Sequence, residues 1–343
     1  MASRTDRAMN EQGTLLTDTF GRRHDYLRIS LTERCNMRCF YCMPEEGIEL
    51  RPREEFMRQE ELLAIASTFV SMGVRKIRLT GGEPLVRRDA ADLIEGLARL
   101  PVELAITTNG VLVDRFIDVF DRAGVRNVNV SLDTLNAERM QRITRRDYFK
   151  EVKTNISLLM EKGYDVKVNT VLIRGTNDDE ICDFVQWTMD EGIRVRFIEF
   201  MPFDGNKWDW SKGVSLQEVL DMVGTRFGAD NIERLQDGPH DTAKHYRIKG
   251  HKGSFAVIST VTNPFCDSCN RLRLTADGRM KNCLFSGTET DLLSAYRKGE
   301  DITELIRSTV LHKKKARGGM DTMEAFSDPV NHTGNRTMQS IGG

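Results

Sequence analysis

Six short β-rich runs alternate with five amphipathic stretches between Tyr26 and Glu199, which restricts this part of the chain to repeated strand–helix units. The strand patterns are Tyr26–Leu31, Lys76–Thr80, Glu103–Thr107, Asn127–Ser131, Val166–Val171 and Val195–Glu199. Helical patterns cover Gln59–Met72, Ala90–Arg99, Arg115–Ala123, Tyr148–Lys162 and Asp179–Glu191. Strands joined through helices run parallel. Gly124, Gly163 and Gly192 stand where helices should stop, and Asn177 stands where the last should start.

Strands of a parallel sheet, covered on both faces, normally read as continuous apolar runs. Here they alternate. Arg28 and Ser30 interleave with Leu27, Ile29 and Leu31; Lys76, Arg78 and Thr80 with Ile77 and Leu79. Asn127, Asn129, Ser131 and Asp133 interleave with Val128, Val130 and Leu132, and Lys167 and Asn169 with Val166 and Val168. A two-residue period puts the polar set on one face. With helices on the apolar face, the polar face has to line a cavity, as it does when six strands curl into an incomplete barrel instead of a packed one. In Val195–Glu199 the register is open, because Arg194 and Arg196 both alternate with apolar residues.

The pattern changes after Met201. Pro202–Gly213 reads as a linker or lid, Asp237–Asp241 as a polar loop, and His245–Lys249 with Ser254–Ser259 as a small sheet. The expected organisation is a tail over 1–25, a core over 26–201, a second unit over 202–312 and a basic, Gly-ending tail over 313–343. The chain has 50 Lys plus Arg against 51 Asp plus Glu, so an anion site must come from a local cluster of bases; nucleic acid and membrane are not expected partners. No apolar run is long enough to span a bilayer. Met1–Gln12 lacks the apolar segment of a signal peptide and reads as a solvated tail.

Six of the seven cysteines form two trios: Cys35-x3-Cys39-x2-Cys42, directly after the first strand, and Cys266-x2-Cys269-x13-Cys283. Each is one ligand short of the four that normally hold a four-iron cube, so each would leave one iron open to a small molecule. A zinc site is the alternative on spacing alone, although zinc favours two-residue gaps and four closed ligands. Cys182 reads as a small buried apolar residue. The odd count argues against a disulfide framework and for a reducing, cytoplasmic compartment.

The first trio, with Tyr41 before its last cysteine and Gly81-Gly82-Glu83-Pro84 after the second strand, resembles the signature of radical S-adenosylmethionine enzymes. The second trio, Asn270-Arg-Leu-Arg273, Arg196-Phe-Ile-Glu199, the basic run Lys313–Arg317 and the terminal Gly342-Gly343 narrow this to the GTP-cyclising family that begins molybdenum cofactor biosynthesis. The resemblance covers the chain from Tyr26 to Gly343. It implies an α/β fold with an incomplete (βα)6 barrel and a C-terminal extension carrying a second iron–sulfur cluster.

The cofactors so implied are two [4Fe–4S] clusters, on Cys35, Cys39 and Cys42 and on Cys266, Cys269 and Cys283, together with S-adenosylmethionine. Reductive cleavage of S-adenosylmethionine gives a 5′-deoxyadenosyl radical that removes H3′ of GTP. The C3′ radical then attacks C8, and one reducing electron and a proton complete 3′,8-cyclo-7,8-dihydroguanosine triphosphate. Tyr41, Gly82, Ser131 and Met201 match positions that contact S-adenosylmethionine. Arg28, Arg78, Thr107, Lys167, Arg271, Leu272 and Arg273 match positions that contact GTP, and Arg196 matches an arginine near the first site. Arg271, Arg273, Gly342 and Gly343 join the first trio as catalytic positions, the two glycines entering the active site. Implied partners are GTP, a flavodoxin- or ferredoxin-like electron donor, the synthase that takes the product on to cyclic pyranopterin monophosphate, and at most a second copy of the chain. A peptide-modifying radical enzyme, which usually carries more C-terminal cysteines, and a metal-bearing scaffold without turnover are the competing readings.

Overall fold

The alternation is realised as a curled parallel sheet. The computed structural model describes residues 15–43, 51–332 and 334–342. Strands β1 (Tyr26–Ser30), β2 (Lys76–Thr80), β3 (Glu103–Thr108), β4 (Asn127–Ser131), β5 (Asp165–Leu172) and β6 (Arg194–Glu199) lie in chain order, each parallel to the next. Leu27, Ile29, Ile77, Leu79, Val128, Val130 and Val168 are buried on the apolar face. Helix α1 (Gln59–Ser71) buries Leu62, Ile65, Ala66 and Phe69 in the same core. Each such large side chain contributes about 1.5–3 kcal/mol by leaving water.

Between the expected helices α2 (Ala90–Leu97) and α3 (Ile117–Arg122) and helices α5 (Phe149–Glu161) and α6 (Ile181–Glu191) stands a helix the periodicity does not announce. It is α4 (Ala137–Thr144), which buries only Met140, Ile143 and Thr144. Asn136 starts it by accepting from Arg139 N at 2.9 Å. Helix α7 (Leu216–Phe227) is also new; Ser215 and Glu218 close a reciprocal capping box at its start.

The second half of the chain does not form a separate small sheet. β9 (Ser254–Ile258) pairs parallel with β6, and β8 (Lys244–Ile248) and β7 (Ile232–Arg234) extend that edge. β10 (Arg271–Leu274) pairs parallel with β1, followed by β11 (Arg279–Lys281) and β12 (Thr290–Asp291). One twelve-stranded sheet results, with the six core strands in its middle.

Residues 15–25 are not a free tail. Asp18 and His24 are buried, with Asp18 Oδ2 accepting from Arg22 Nε at 2.7 Å and lying 3.0 Å from His24 Nε2. Arg22 also donates to the carbonyls of Cys266, Lys314 and Lys315 at 2.7–2.8 Å, so polar residues that look solvated by composition form a buried clasp. Cys182 is half-buried, against the Met222 carbonyl at 3.6 Å.

Candidate active site

The polar strand face lines a cavity of ≈ 480 Å³. Arg28, Arg78, Asn129, Lys167, Asn169 and Arg196 all face it, which fixes the register of β6. Few acids balance these bases. Asp133 and Glu199 are committed elsewhere, to Tyr41 and Val171 and to Val261 and Thr262. Burial and mutual repulsion lower the cationic pKa values, Lys167 to about 8 and Arg196 and Arg273 to about 9. Lys167 Nζ pairs with Asp165 Oδ2 at 2.8 Å, but bases outnumber acids on the lining, and such an excess of buried cations is completed by a polyanion. Arg271 Nη1 is a buried donor with no partner among the described residues.

Both cysteine trios line this cavity. Topology puts them at opposite ends of the strands. Cys35 follows the C-terminal end of β1, whereas Cys269 precedes β10, whose Arg271 pairs with Tyr26 at the N-terminal end of β1. Five strand residues separate the two ends by roughly 17 Å.

The first trio sits on a loop docked against α4: Arg38 N and Phe40 N donate to the Thr144 and Ile143 carbonyls at 2.9 and 3.1 Å. Burial pushes the Cys35 thiol up to about 11 and the Cys42 thiol to about 12, and raises Cys39 well above the usual thiol range. Thiolates in such surroundings need a bound cation. Among the described residues no three His, Cys, Asp or Glu side chains converge as ligands of one ion do. Three thiols lining one end of a cavity suit a cube, which offers a separate iron to each.

The Gly81–Pro84 loop is held by that cysteine loop. Gly82 N donates to Thr32 O at 2.7 Å and Glu83 N to Arg34 O at 2.8 Å. A Cβ at Gly82 would stand 2.4 Å from Arg34 O, so only glycine permits this approach. Glu83 then ties the loop to the end of β3, accepting from Asn109 N at 2.6 Å and Thr108 Oγ1 at 2.8 Å. Asn109 reaches on to Cys35 Sγ at 3.8 Å. Sequence reasoning missed Glu83, Asn109 and Asp133 as parts of this frame, because their partners lie on other strands.

Burial outweighs those donors and raises the Glu83 carboxyl to about 7. The folded state therefore keeps a proton that the unfolded chain releases near pH 4.5, so stability falls as pH rises from about 4.5 to 7 and levels off above. Glu83→Gln is expected to make that fall shallower in urea titrations across this range. Asp133, raised by burial to about 6, adds to the fall, whereas His24, lowered by burial to about 4, opposes it.

The second trio is held from behind by bases. Lys313 Nζ lies 3.5 Å from Cys269 Sγ, and Arg317 N donates to Cys266 Sγ at 3.5 Å. Burial raises the Cys269 thiol, but the Lys313 and Arg271 charges outweigh it and bring it below its usual range.

Tyr41, Gly82, Ser131 and Met201 line the cavity, as do Thr107, Arg271 and Arg273. Tyr41 donates to Asp133 Oδ2 at 2.6 Å, and the Met201 carbonyl accepts from Asn206 Nδ2 at 2.8 Å. Leu272 points into the core, so any contact it makes with a ligand is through its main chain. The C-terminal segment is ordered into α8 (Met338–Ile341), and Arg273 Nη1 donates to the Gly342 carbonyl at 2.7 Å. Gly343 lies outside the described residues. Among those residues no helix is long and apolar enough to cross a membrane.

A family model described as the radical SAM superfamily matches residues 29–188, and one described as Molybdenum Cofactor Synthesis C matches residues 193–318. The GTP 3′,8-cyclase, mitochondrial, of Arabidopsis thaliana is 48% identical over 95% of this chain and 85% of its own length. The GTP 3′,8-cyclase of Listeria welshimeri is 41% identical over 87% of this chain and 91% of its own. Animal relatives named molybdenum cofactor biosynthesis protein 1 are longer, and the chain spans about half their length. The crystal structure of Streptococcus suis SuiB superposes with a TM-score of 0.63 at 14% identity, over 90% of this chain and 72% of SuiB, a likeness of fold alone. The first match falls on the strands that carry one trio and the second on the segment that edges the sheet and carries the other; with relatives of this identity along most of its length, the chain belongs to the GTP 3′,8-cyclase family of radical S-adenosylmethionine enzymes.

Proposed function

We propose that this chain closes the ribose of GTP onto its own base, forming 3′,8-cyclo-7,8-dihydroguanosine triphosphate as the first step of molybdenum cofactor biosynthesis. One observation carries the reading: two cysteine trios at opposite ends of the same strands, with a cation-lined cavity between them. Cys35, Cys39 and Cys42 would hold the first cube, and Cys266, Cys269 and Cys283 a second.

When bound, the first cluster supplies the electron that splits S-adenosylmethionine into methionine and the 5′-deoxyadenosyl radical that takes H3′. The protein's residues do the rest by placement. Tyr41, Gly82, Ser131 and the main chain at Met201 form the wall around S-adenosylmethionine. Arg28, Arg78, Lys167 and Arg271 grip the triphosphate, with Thr107 and the Leu272 main chain completing the pocket. The purine edge meets the second trio. Arg273 and Gly342, with Gly343 beyond it, close the space around the reacting carbon and exclude water. A flavodoxin- or ferredoxin-like protein supplies electrons, and the pyranopterin-forming synthase takes the product.

Anaerobic reconstitution is expected to yield about eight irons per chain. With GTP, S-adenosylmethionine and dithionite, mass spectrometry is expected to find 5′-deoxyadenosine and the cyclised nucleotide in equal amounts. Cys269→Ser should leave about four irons and deoxyadenosine formation without cyclised product. Deoxyadenosine without any GTP-derived product from the unaltered chain would refute the substrate.

A further inference from the structure

Tyr26 opens β1 on the same face as Arg28, and nothing in the family resemblance gives it a role. Its neighbours in register are Arg271 on β10 and Lys76 on β2. Each presents its charge to the phenol ring, Arg271 with its guanidinium and Lys76 with Nζ both 5.6 Å from the ring centroid. The phenolic oxygen accepts from Arg78 Nε at 2.6 Å, and Arg28 shares a side-chain hydrogen bond with it. Four bases from three strands therefore converge on one tyrosine. Burial would raise the Tyr26 hydroxyl, but the charges of Arg78, Arg28 and Arg271 bring it down to about 7, so its oxygen is a strong acceptor.

Bases of like charge packed this closely repel, and long side chains so placed splay apart unless something sets their positions. Arg78 has a second anchor in the Ile106 carbonyl at 2.8 Å, and Arg271 in the His240 carbonyl at 2.7 Å. Each guanidinium is thereby held from two sides with a donor edge left for a ligand.

We propose that Tyr26 is a substrate-positioning residue. Its hydroxyl and ring fix Arg78 and Arg271, beside a Lys76 that Glu103 already holds at 2.7 Å, as a preformed receptor for the terminal phosphates of the nucleotide, and so set the preference for a triphosphate over a diphosphate. This rests on GTP being the substrate. Tyr26 acts through the bases around it: Tyr26→Phe keeps the ring and the cation–π contacts and removes only the hydroxyl.

The test compares the reconstituted full chain with Tyr26→Phe and Tyr26→Leu. Tyr26→Phe is expected to raise KM for GTP about tenfold, with kcat, KM for S-adenosylmethionine and iron content unchanged. The kcat/KM ratio of GTP to GDP should fall, and Tyr26→Leu should extend both losses. In an Arg78→Ala background, Tyr26→Phe should add little, because the group it positions is gone. An unchanged KM for GTP in Tyr26→Phe, or a loss that simply adds to that of Arg78→Ala, overturns the inference. Equilibrium dialysis of GTP against the unaltered holoenzyme separates the two readings: no binding there removes the substrate assignment and this inference with it, whereas normal binding with no effect of Tyr26→Phe removes only the inference.

Discussion

Gly342→Ala is expected to cut formation of the cyclised nucleotide on the order of 100-fold, while S-adenosylmethionine is still cleaved. A Cβ at this position would stand 2.4 Å from Thr80 Oγ1 and 3.0 Å from Ser30 Cβ, and the residue has a φ of +83°. Thr80 cannot give way freely, since its hydroxyl donates to the Ile29 carbonyl at 3.2 Å. The added methyl therefore lifts the chain end and takes its carbonyl away from Arg273. Chromatography of both products in one reaction distinguishes this from a general loss: 5′-deoxyadenosine should persist, and iron content should match the unaltered chain. Full cyclising activity in the variant would show that the close fit of Gly342 has no bearing on the chemistry.

Asp277→Ala has the second large expected effect. The carboxylate is buried and accepts from Arg336 Nη1 and Nη2 at 2.9 and 2.8 Å, Arg51 Nη1 at 2.7 Å and Thr275 Oγ1 at 2.6 Å. Burial opposes ionisation, but the two arginines hold the carboxyl well below its usual range. Its contribution is complete above the unfolded value near 4 and disappears as pH falls below it. Removing one partner of a buried ion pair costs about 3–5 kcal/mol, because the charges left behind stay desolvated. Arg336 is the anchor from which α8 and Gly342 follow, so the loss should fall on the C-terminal segment. Limited proteolysis is expected to remove that segment faster in the variant, with a lower melting temperature above pH 5. Equal cleavage rates and an equal melting temperature would show that Glu33 and Glu289 hold Arg336 and the segment without Asp277.

The central strands were legible because their chemistry is local. A two-residue period in Lys76–Thr80 or Asn127–Ser131 states which side chains share a face, and the cavity needs nothing more. Arg28, Arg78 and Lys167 follow from that period alone, and the structure adds Arg196 by settling its register. The edges were not legible. Ser254–Ile258 carries the signal of a strand but none of its partner, and its pairing with β6 spans more than fifty residues. Asp18, Arg22 and His24 look like surface residues because composition records polarity and not pairing. In the sequence Tyr26 reads only as the start of a strand, since a lone aromatic beside Leu27 has no motif. Its significance lies in the bases that β2 and β10 bring to it.

The strands that flank β1 and β6 have a consequence for how the enzyme is made. While the polypeptide is being synthesised, the six core strands emerge first, with both outer backbones open to any passing strand. Those hydrogen bonds are filled only when β9 and β10 leave the ribosome, and β10 brings the second set of thiols beside the strand that leads to the first. Neither family segment is therefore a self-sufficient folding unit. Maturation with iron and sulfide belongs after translation of the last strands, and expression of residues 1–201 alone should give an aggregating product instead of half an enzyme.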